Sequence, residues 1–220
     1  MAQRMDIKRG ASRPSKAYAC KSIWPIFDEA MKLIKTEIEE VVIVEPQLFE
    51  DERGYFYEVF NAQRFAEAVG KSIEFVQQNE SRSKQGVVRG LHFQLPPHAQ
   101  SKLVRVTQGE ILDVAVDIRR GSPTFGRYVA VVLSAENRRQ LFIPRGFAHG
   151  FAVRRGDAVV EYLCDSHYAP ETEGAIVWND PALDINWGID NEPIVSSKDA
   201  LNRTLDQCER LFDYSKDYYA

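Results

Sequence analysis

Short β-branched and aromatic runs separated by turn residues follow one another along almost the whole chain, leaving room for little except an all-β fold. From Val41 they are Val41–Val44, Tyr55–Phe60, Phe75–Gln78, Val87–Phe93, Lys102–Thr107 and Glu110–Ile118. Tyr128–Leu133, Gln140–Ile143, His149–Val153, Ala158–Cys164 and Ile176–Trp178 continue the series. Gly121-Ser122-Pro123 and Pro144-Arg145-Gly146 punctuate it as turns. In Glu110–Ile118 the period is clearest: Leu112, Val114, Val116 and Ile118 face one way, Asp113 and Asp117 the other. Only two helices are predicted. Asn61–Val69 has Asn61 as N-cap, Phe65 and Val69 on one face, and Gly70 as its stop. The second starts at Ser196 or Ser197 and runs to Leu205. So many strands and so little helix predict a sandwich, jelly roll or barrel.

With 220 residues the chain suffices for one well-buried domain and is short for two. Residues 1–30 stand apart. Between Met1 and Phe27, Arg4, Lys8, Arg9, Arg13, Lys16 and Lys21 face a single acid, Asp6, without hydrophobic period. They predict a basic, flexible extension, with one domain over 31–220. A net charge of −4 excludes a bulk nucleic-acid binder, and no apolar run approaches the roughly 20 residues that span a bilayer. Cys20, Cys164 and Cys208 are widely spaced and odd in number. They fit reduced thiols and a cytoplasmic protein rather than a disulfide framework.

The four histidines are His92, His98, His149 and His167. His92 ends an apolar strand in which simple alternation places Val88 and Gly90 on its side. It is either a core histidine bonded to a carbonyl or a base in a polar mouth, and His149 in Phe147-Ala148-His149-Gly150-Phe151 faces the same choice. His98, after two prolines, is expected in solvent, and His167 has no distinguishing context. The His-x-His pair of metal-binding barrel enzymes is absent, since Phe93 and Gln94 follow His92; no third ligand has suitable spacing, so no metal is expected. Arg53, Arg89 and Lys102 sit at strand ends, where an arginine fork suits a diphosphate and a lysine suits a single oxyanion.

Several longer motifs occur in fixed order. They are Asp51-Glu52-Arg53-Gly54, Arg89-Gly90-Leu91-His92, Ser134-Ala135-Glu136-Asn137, Ile143-Pro144, Gly146-Phe147-Ala148-His149-Gly150-Phe151 and Trp178-Asn179-Asp180. In these motifs, from Met31 to Leu205, the chain resembles the dTDP-sugar epimerase family. The resemblance implies a cupin-type jelly roll (a double-stranded β-helix), a homodimer in which the partner's N-terminal strand region completes each site, and neither cofactor nor metal. It implies a dTDP-4-keto-6-deoxyhexose as substrate, inverted at C3 and C5 on the route to dTDP-L-rhamnose.

The C4 ketone acidifies both neighbouring C–H bonds, so the site needs a base, an oxyanion stabiliser and an acid across the ring. The resemblance makes His92 the base, Asp199 its carboxylate partner, Lys102 the stabiliser of the C4 enolate oxygen and Tyr162 the acid. It puts Arg89 and His149 beside the sugar and Arg53 at the diphosphate. It puts Phe56, Glu58, Gln77 and Asn79 around the nucleotide, with Tyr168 stacking on base or sugar. Asp180 is a rival carboxylate in a structural-looking Trp-Asn-Asp-Pro context. One departure stands out: Leu163 follows the tyrosine where the family often has lysine. Alternatives within reach are an epimerase of one centre only, a ketoisomerase, and a sugar-binding cupin without catalysis.

Overall fold

The computed structural model describes residues 31–220; the basic segment 1–30 and Cys20 lie outside them. The first half supplies β1 (Met31–Lys35), β2 (Val42–Pro46), β3 (Phe49–Asp51), β4 (Gly54–Phe56), α1 (Ala62–Val69), β5 (Gln77–Ser83) and β6 (Val88–Gln94). Then follow β7 (Lys102–Asp117), β8 (Arg119–Arg120), β9 (Tyr128–Ser134), β10 (Gln140–Ile143) and β11 (Phe147–Cys164). β12 (Glu173–Ala175), α2 (Ser197–Ala200) and β13 (Phe212–Asp213) complete the order. No helix among them is long and apolar enough to cross a membrane.

Two expected strand pairs are each one long strand. Lys102–Thr107 and Glu110–Ile118 merge in β7 (16 residues), His149–Val153 and Ala158–Cys164 in β11 (18 residues). Gln108-Gly109 and Arg154–Asp157 look like turns by composition, yet the β7–β11 ladder runs through them with register shifts. At these bends each strand passes from one sheet into another. The first halves of β7 and last residues of β11 belong to a sheet ordered β1-β2-β10-β7-β11-β5; the other halves belong to β9-β7-β11-β6-β12. Val104, Val106, Leu141 and Val160 of the first sheet pack against Ile111, Ala115, Leu133 and Phe151 of the second. Two facing sheets that share their central strands make a cupin-like jelly roll, as expected.

Both outer faces are covered. On the first sheet α1 buries Phe65 against Phe142, ring centroids 5.2 Å apart, with Phe60 and Phe75 alongside. Such aromatic pairs contribute about 0.5–1.5 kcal/mol each beyond their buried area. The helix has the expected ends: Asn61 Oδ1 accepts from Arg64 N, and Gly70 takes a left-handed conformation (φ 76°). The second sheet is covered by the C-terminal segment, through Leu183, Trp187, Leu205 and Phe212. Asp113 and Asp117 are therefore as buried as Leu112 and Val114. The alternation along this strand is real, but it separates two interiors rather than interior from solvent.

Other boundaries move. Tyr55–Phe60 reduces to β4, which pairs only with β3 in a separate hairpin. Phe75–Gln78 gives way to Gln77–Ser83, whose inward residues Gln77, Asn79, Ser81 and Ser83 are polar and so carry no apolar period. Ile176–Trp178 is displaced to Glu173–Ala175, while Ile176 exchanges backbone hydrogen bonds with Leu91 and forms an isolated bridge to Arg203. The second helix stops at Ala200, and a one-turn 3₁₀ segment at Leu205–Gln207 follows.

Candidate active site

The polar mouth lies at the end of the jelly roll where Lys102 opens β7 and Cys164 closes β11, paired to each other. A cleft of about 260 Å³ is lined there by Gln77, Asn79, His92, Lys102, Tyr162, Tyr168 and Glu173 among others. His92 belongs to the second sheet, and Lys102, Tyr162 and Asn79 to the first. The two sheets thus offer opposing walls.

His92 reaches the cleft because β6 is irregular. Between the pairs His149–His92 and Phe151–Arg89, β11 advances from 149 to 151 while β6 retreats from 92 to 89, so β6 holds one extra residue. An extra residue inverts the facing of everything beyond it. Val88 consequently joins Leu91 and Phe93 in the outer cluster, and His92 shares its side with Arg89, correcting the simple alternation. Gly90 is at the irregularity with φ 117°, and a Cβ there would lie 2.5 Å from Gly150 Cα and 2.8 Å from His149 O. Only glycine fits both demands.

His92 Nε2 lies 2.7 Å from Asp199 Oδ1. The carboxylate is buried on α2, accepts from Gly90 N (3.4 Å), and its own N–H is capped by Ser196 Oγ (3.1 Å). With Nε2–H donated to Asp199, Nδ1 keeps the lone pair. A second pair stands beside it: His149, opposite His92 in the ladder, has Nε2 2.7 Å from Asp113 Oδ1. Burial pushes the His149 imidazole below its usual pKa, against the pull of Asp113, and keeps it neutral. Asp113 Oδ2 is buried with no hydrogen-bond partner. Asp113 was missed in the sequence because it sits in the strand position that normally faces solvent; the signal available was a carboxylate in an otherwise apolar β-branched run.

Across the cleft, Lys102 Nζ lies 5.8 Å from the centroid of the Tyr162 ring. Burial pushes the Lys102 ammonium below the usual lysine range, partly opposed by the charges of Asp113 and Glu173. Burial raises the Tyr162 phenol above its usual value, so it holds its proton. Leu163, the departure from the family pattern, packs with Leu103 and Phe142 on the outer face, away from the cleft.

Gln77, Asn79 and Tyr168 are brought to the same cleft. Tyr168 N donates to Gln77 Oε1 (2.9 Å), and its hydroxyl donates to Glu173 (3.3 Å). Glu173, also missed, accepts from Lys198 Nζ at 2.6 Å. Burial raises the Glu173 pKa, but Lys198 outweighs it and holds the carboxyl below its usual range. Arg89 Nε donates to Ser83 Oγ (2.9 Å), and its charge acts on Tyr162. Arg53, Phe56 and Glu58 do not line the cleft. Arg53 is paired with Asp51, Phe56 is exposed on the hairpin, and Glu58 accepts from Arg64 (2.9 Å) and Asn61 (3.2 Å). Asp180 accepts from Leu205 N and Ala182 N and is structural. His98 is partly exposed, 3.8 Å from Glu171, and His167 is exposed. Among the described residues no three His, Cys, Asp or Glu side chains gather as metal ligands.

Residues 35–207 match the family model described as dTDP-4-dehydrorhamnose 3,5-epimerase. A relative of that name from Shigella flexneri is 55% identical over 169 residues, 77% of this chain and 93% of the relative. A Legionella pneumophila dTDP-6-deoxy-D-glucose-3,5-epimerase, solved in complex with dTDP-4-keto-L-rhamnose, superposes with a TM-score of 0.82 at 48% identity, covering 84% of this chain and all of that one. A 3'-monoepimerase from Streptomyces bikiniensis, solved with dTDP-quinovose, gives 0.77 at 37% identity over 82% of this chain and 92% of its own.

Proposed function

The chain belongs to the dTDP-4-dehydrorhamnose 3,5-epimerase family, and we propose that it inverts C3 and C5 of dTDP-4-keto-6-deoxyglucose to give dTDP-4-keto-L-rhamnose, with His92 as the base. The observation that carries this reading is the His92–Asp199 pair at 2.7 Å, set on the wall opposite Lys102 and Tyr162.

In each half-reaction His92 Nδ1 takes the proton from the carbon beside the ketone, and the C–H electron pair moves into the C4 enolate. Asp199 holds the imidazole in the required tautomer and stabilises the imidazolium that forms. Lys102 stabilises the negative oxygen at C4, a role for which a partly dehydrated ammonium in low dielectric is strong. Tyr162 then returns a proton from the other wall, giving inversion, and exchange with water resets both groups. The ketone supplies the acidity, so the steps call for no metal or cofactor. Asn79 and Gln77 border the nucleotide side of the cleft, Arg89 and neutral His149 the sugar, and Tyr168 its mouth.

The working unit in this reading is a homodimer. Arg53, Phe56 and Glu58 lie on or beside a hairpin and do not line their own cleft, which supports their meeting the diphosphate and nucleoside in the cleft of a second copy.

The test is NMR of dTDP-4-keto-6-deoxyglucose with the protein in deuterated water. Deuterium entering at both C3 and C5 is expected. Entry at one position only identifies a single-centre epimerase, and entry at neither sinks the assignment for this substrate.

A further inference from the structure

Residues 208–220 lie past the family-model match and fold back onto the strands that carry Lys102 and Tyr162. The Tyr219 ring packs on the outer face of the first sheet, in the cluster of Phe65, Leu103 and Phe142 that also holds Leu163. Its hydroxyl accepts from Arg145 N (3.0 Å) and lies 2.6 Å from Ser101 Oγ. With a lone pair taken by the amide, the phenolic hydrogen is free for Ser101. Ser101 is fully buried, and its N–H donates to Asp165 Oδ1 at 2.6 Å. Asp165 accepts from Arg145 Nε (3.0 Å), and Arg145 Nη1 donates to Tyr218 O (2.5 Å). The Arg145 guanidinium also lies 5.0 Å from the centroid of the Tyr219 ring.

Ser101 directly precedes Lys102, and Asp165 directly follows Cys164; Lys102–Cys164 is the terminal pair of the β7–β11 ladder. Tyr162 is paired two steps inward, with Val104, beyond the Leu163–Leu103 pair. Covering Leu103 and Leu163 would need only an aromatic ring. It would not need a phenol bonded to a buried serine, nor an arginine that ties the same chain end to Asp165.

We infer that Tyr219 is a positioning residue for the epimerase reaction: through Ser101 and the Arg145–Asp165 pair, residues 218–219 brace the end of the β7–β11 ladder from outside and so fix Lys102 relative to Tyr162 inside the cleft. This role rests on the epimerase reading. Neither Tyr219 nor Ser101 lines the cleft.

Tyr219→Phe keeps the ring packing and removes the hydroxyl, and Ser101→Ala removes the other end of the same bond. Deuterium exchange into dTDP-4-keto-6-deoxyglucose, followed across substrate concentrations, gives kcat and KM for each folded variant. Each single variant is expected to lose about threefold to tenfold in kcat, the effect of a small misplacement of reacting groups. KM is expected to stay within about twofold, and the double variant is expected to lose no more than the worse single. A merely stabilising tail would lower the melting temperature and leave kcat of the folded protein untouched. Unchanged kcat in Tyr219→Phe, or losses that multiply in the double variant, overturns the role while the unaltered protein still exchanges. Absence of exchange in the unaltered protein is a separate outcome that overturns the epimerase reading and this role with it.

Discussion

His92 Nε2 and Asp199 Oδ1 lie 2.7 Å apart although 107 positions separate the residues in sequence. A bulged strand presents the imidazole and a four-residue helix presents the carboxylate. Asp199 is 4% exposed, and at such low local dielectric a hydrogen bond to a charged acceptor strengthens. The pair therefore sets the tautomer and the orientation of His92.

Removing either member should separate chemistry from binding. His92→Ala and Asp199→Asn are each expected to lower deuterium exchange at C3 and C5 by about 10²- to 10⁴-fold. Titration calorimetry with dTDP should show nucleotide affinity largely retained, because the nucleotide side of the cleft is built from other residues. Parallel loss of binding and exchange would make His92 a structural histidine.

The alkaline limb of the pH profile should belong to Lys102. Burial lowers the Lys102 pKa and raises that of Tyr162. On raising the pH, the ammonium is thus lost first, while the phenol is still protonated. Activity should fall on the alkaline side below the usual lysine pKa of about 10.4. In Lys102→Arg, whose charge persists past about pH 12, the residual activity should keep its plateau to higher pH. An unmoved limb would assign it to another group.

How far the sequence alone reached depended on whether a residue's surroundings were local. Asn61 and Gly70 announce helix α1 because caps are satisfied within one turn. His92 and Asp199 could be paired only through the family resemblance, because no periodicity links positions on different elements. Gly90 defeated the alternation rule, since a bulge depends on what lies across the ladder. Asp113 and the strand Gln77–Ser83 carry no clear sequence signal for a related reason: polar residues facing an interior look, by pattern, like residues facing water. The joins in β7 and β11 were hidden by glycines and charges that mark a bend between sheets as readily as a turn.

The His149–Asp113 pair should make stability depend on pH. Burial lowers the folded-state pKa of His149, so between that value and the unfolded value of about 6.5 the unfolded chain binds more protons. Stability from this site is therefore complete above the unfolded value and declines as the pH falls through the window. Thermal unfolding from about pH 7.5 down to about pH 5.5 should show a steeper fall for the unaltered protein than for His149→Gln. Parallel curves would exclude His149 as the source.

Gly90→Ala should couple fold and function at one atom. The glycine has φ 117°, and a Cβ would lie 2.5 Å from Gly150 Cα and 2.8 Å from His149 O, both backbone atoms that cannot swing aside. Relief requires β6 to move off β11, which carries His92 away from Asp199 and shifts the Gly90 N–H that also holds this carboxylate. Gly86→Ala is the control: φ is 83°, but nothing lies within 4 Å of its Cβ, so only the left-handed backbone penalty of about 1–2 kcal/mol applies. Denaturant unfolding should show a larger stability loss for Gly90→Ala than for Gly86→Ala. Where Gly90→Ala remains folded at low temperature, deuterium exchange should be slowed by about 10²-fold or more, against near-normal exchange in Gly86→Ala. Equal stability losses and equal exchange rates in the two variants would mean that the bulge at Gly90 does not place the base.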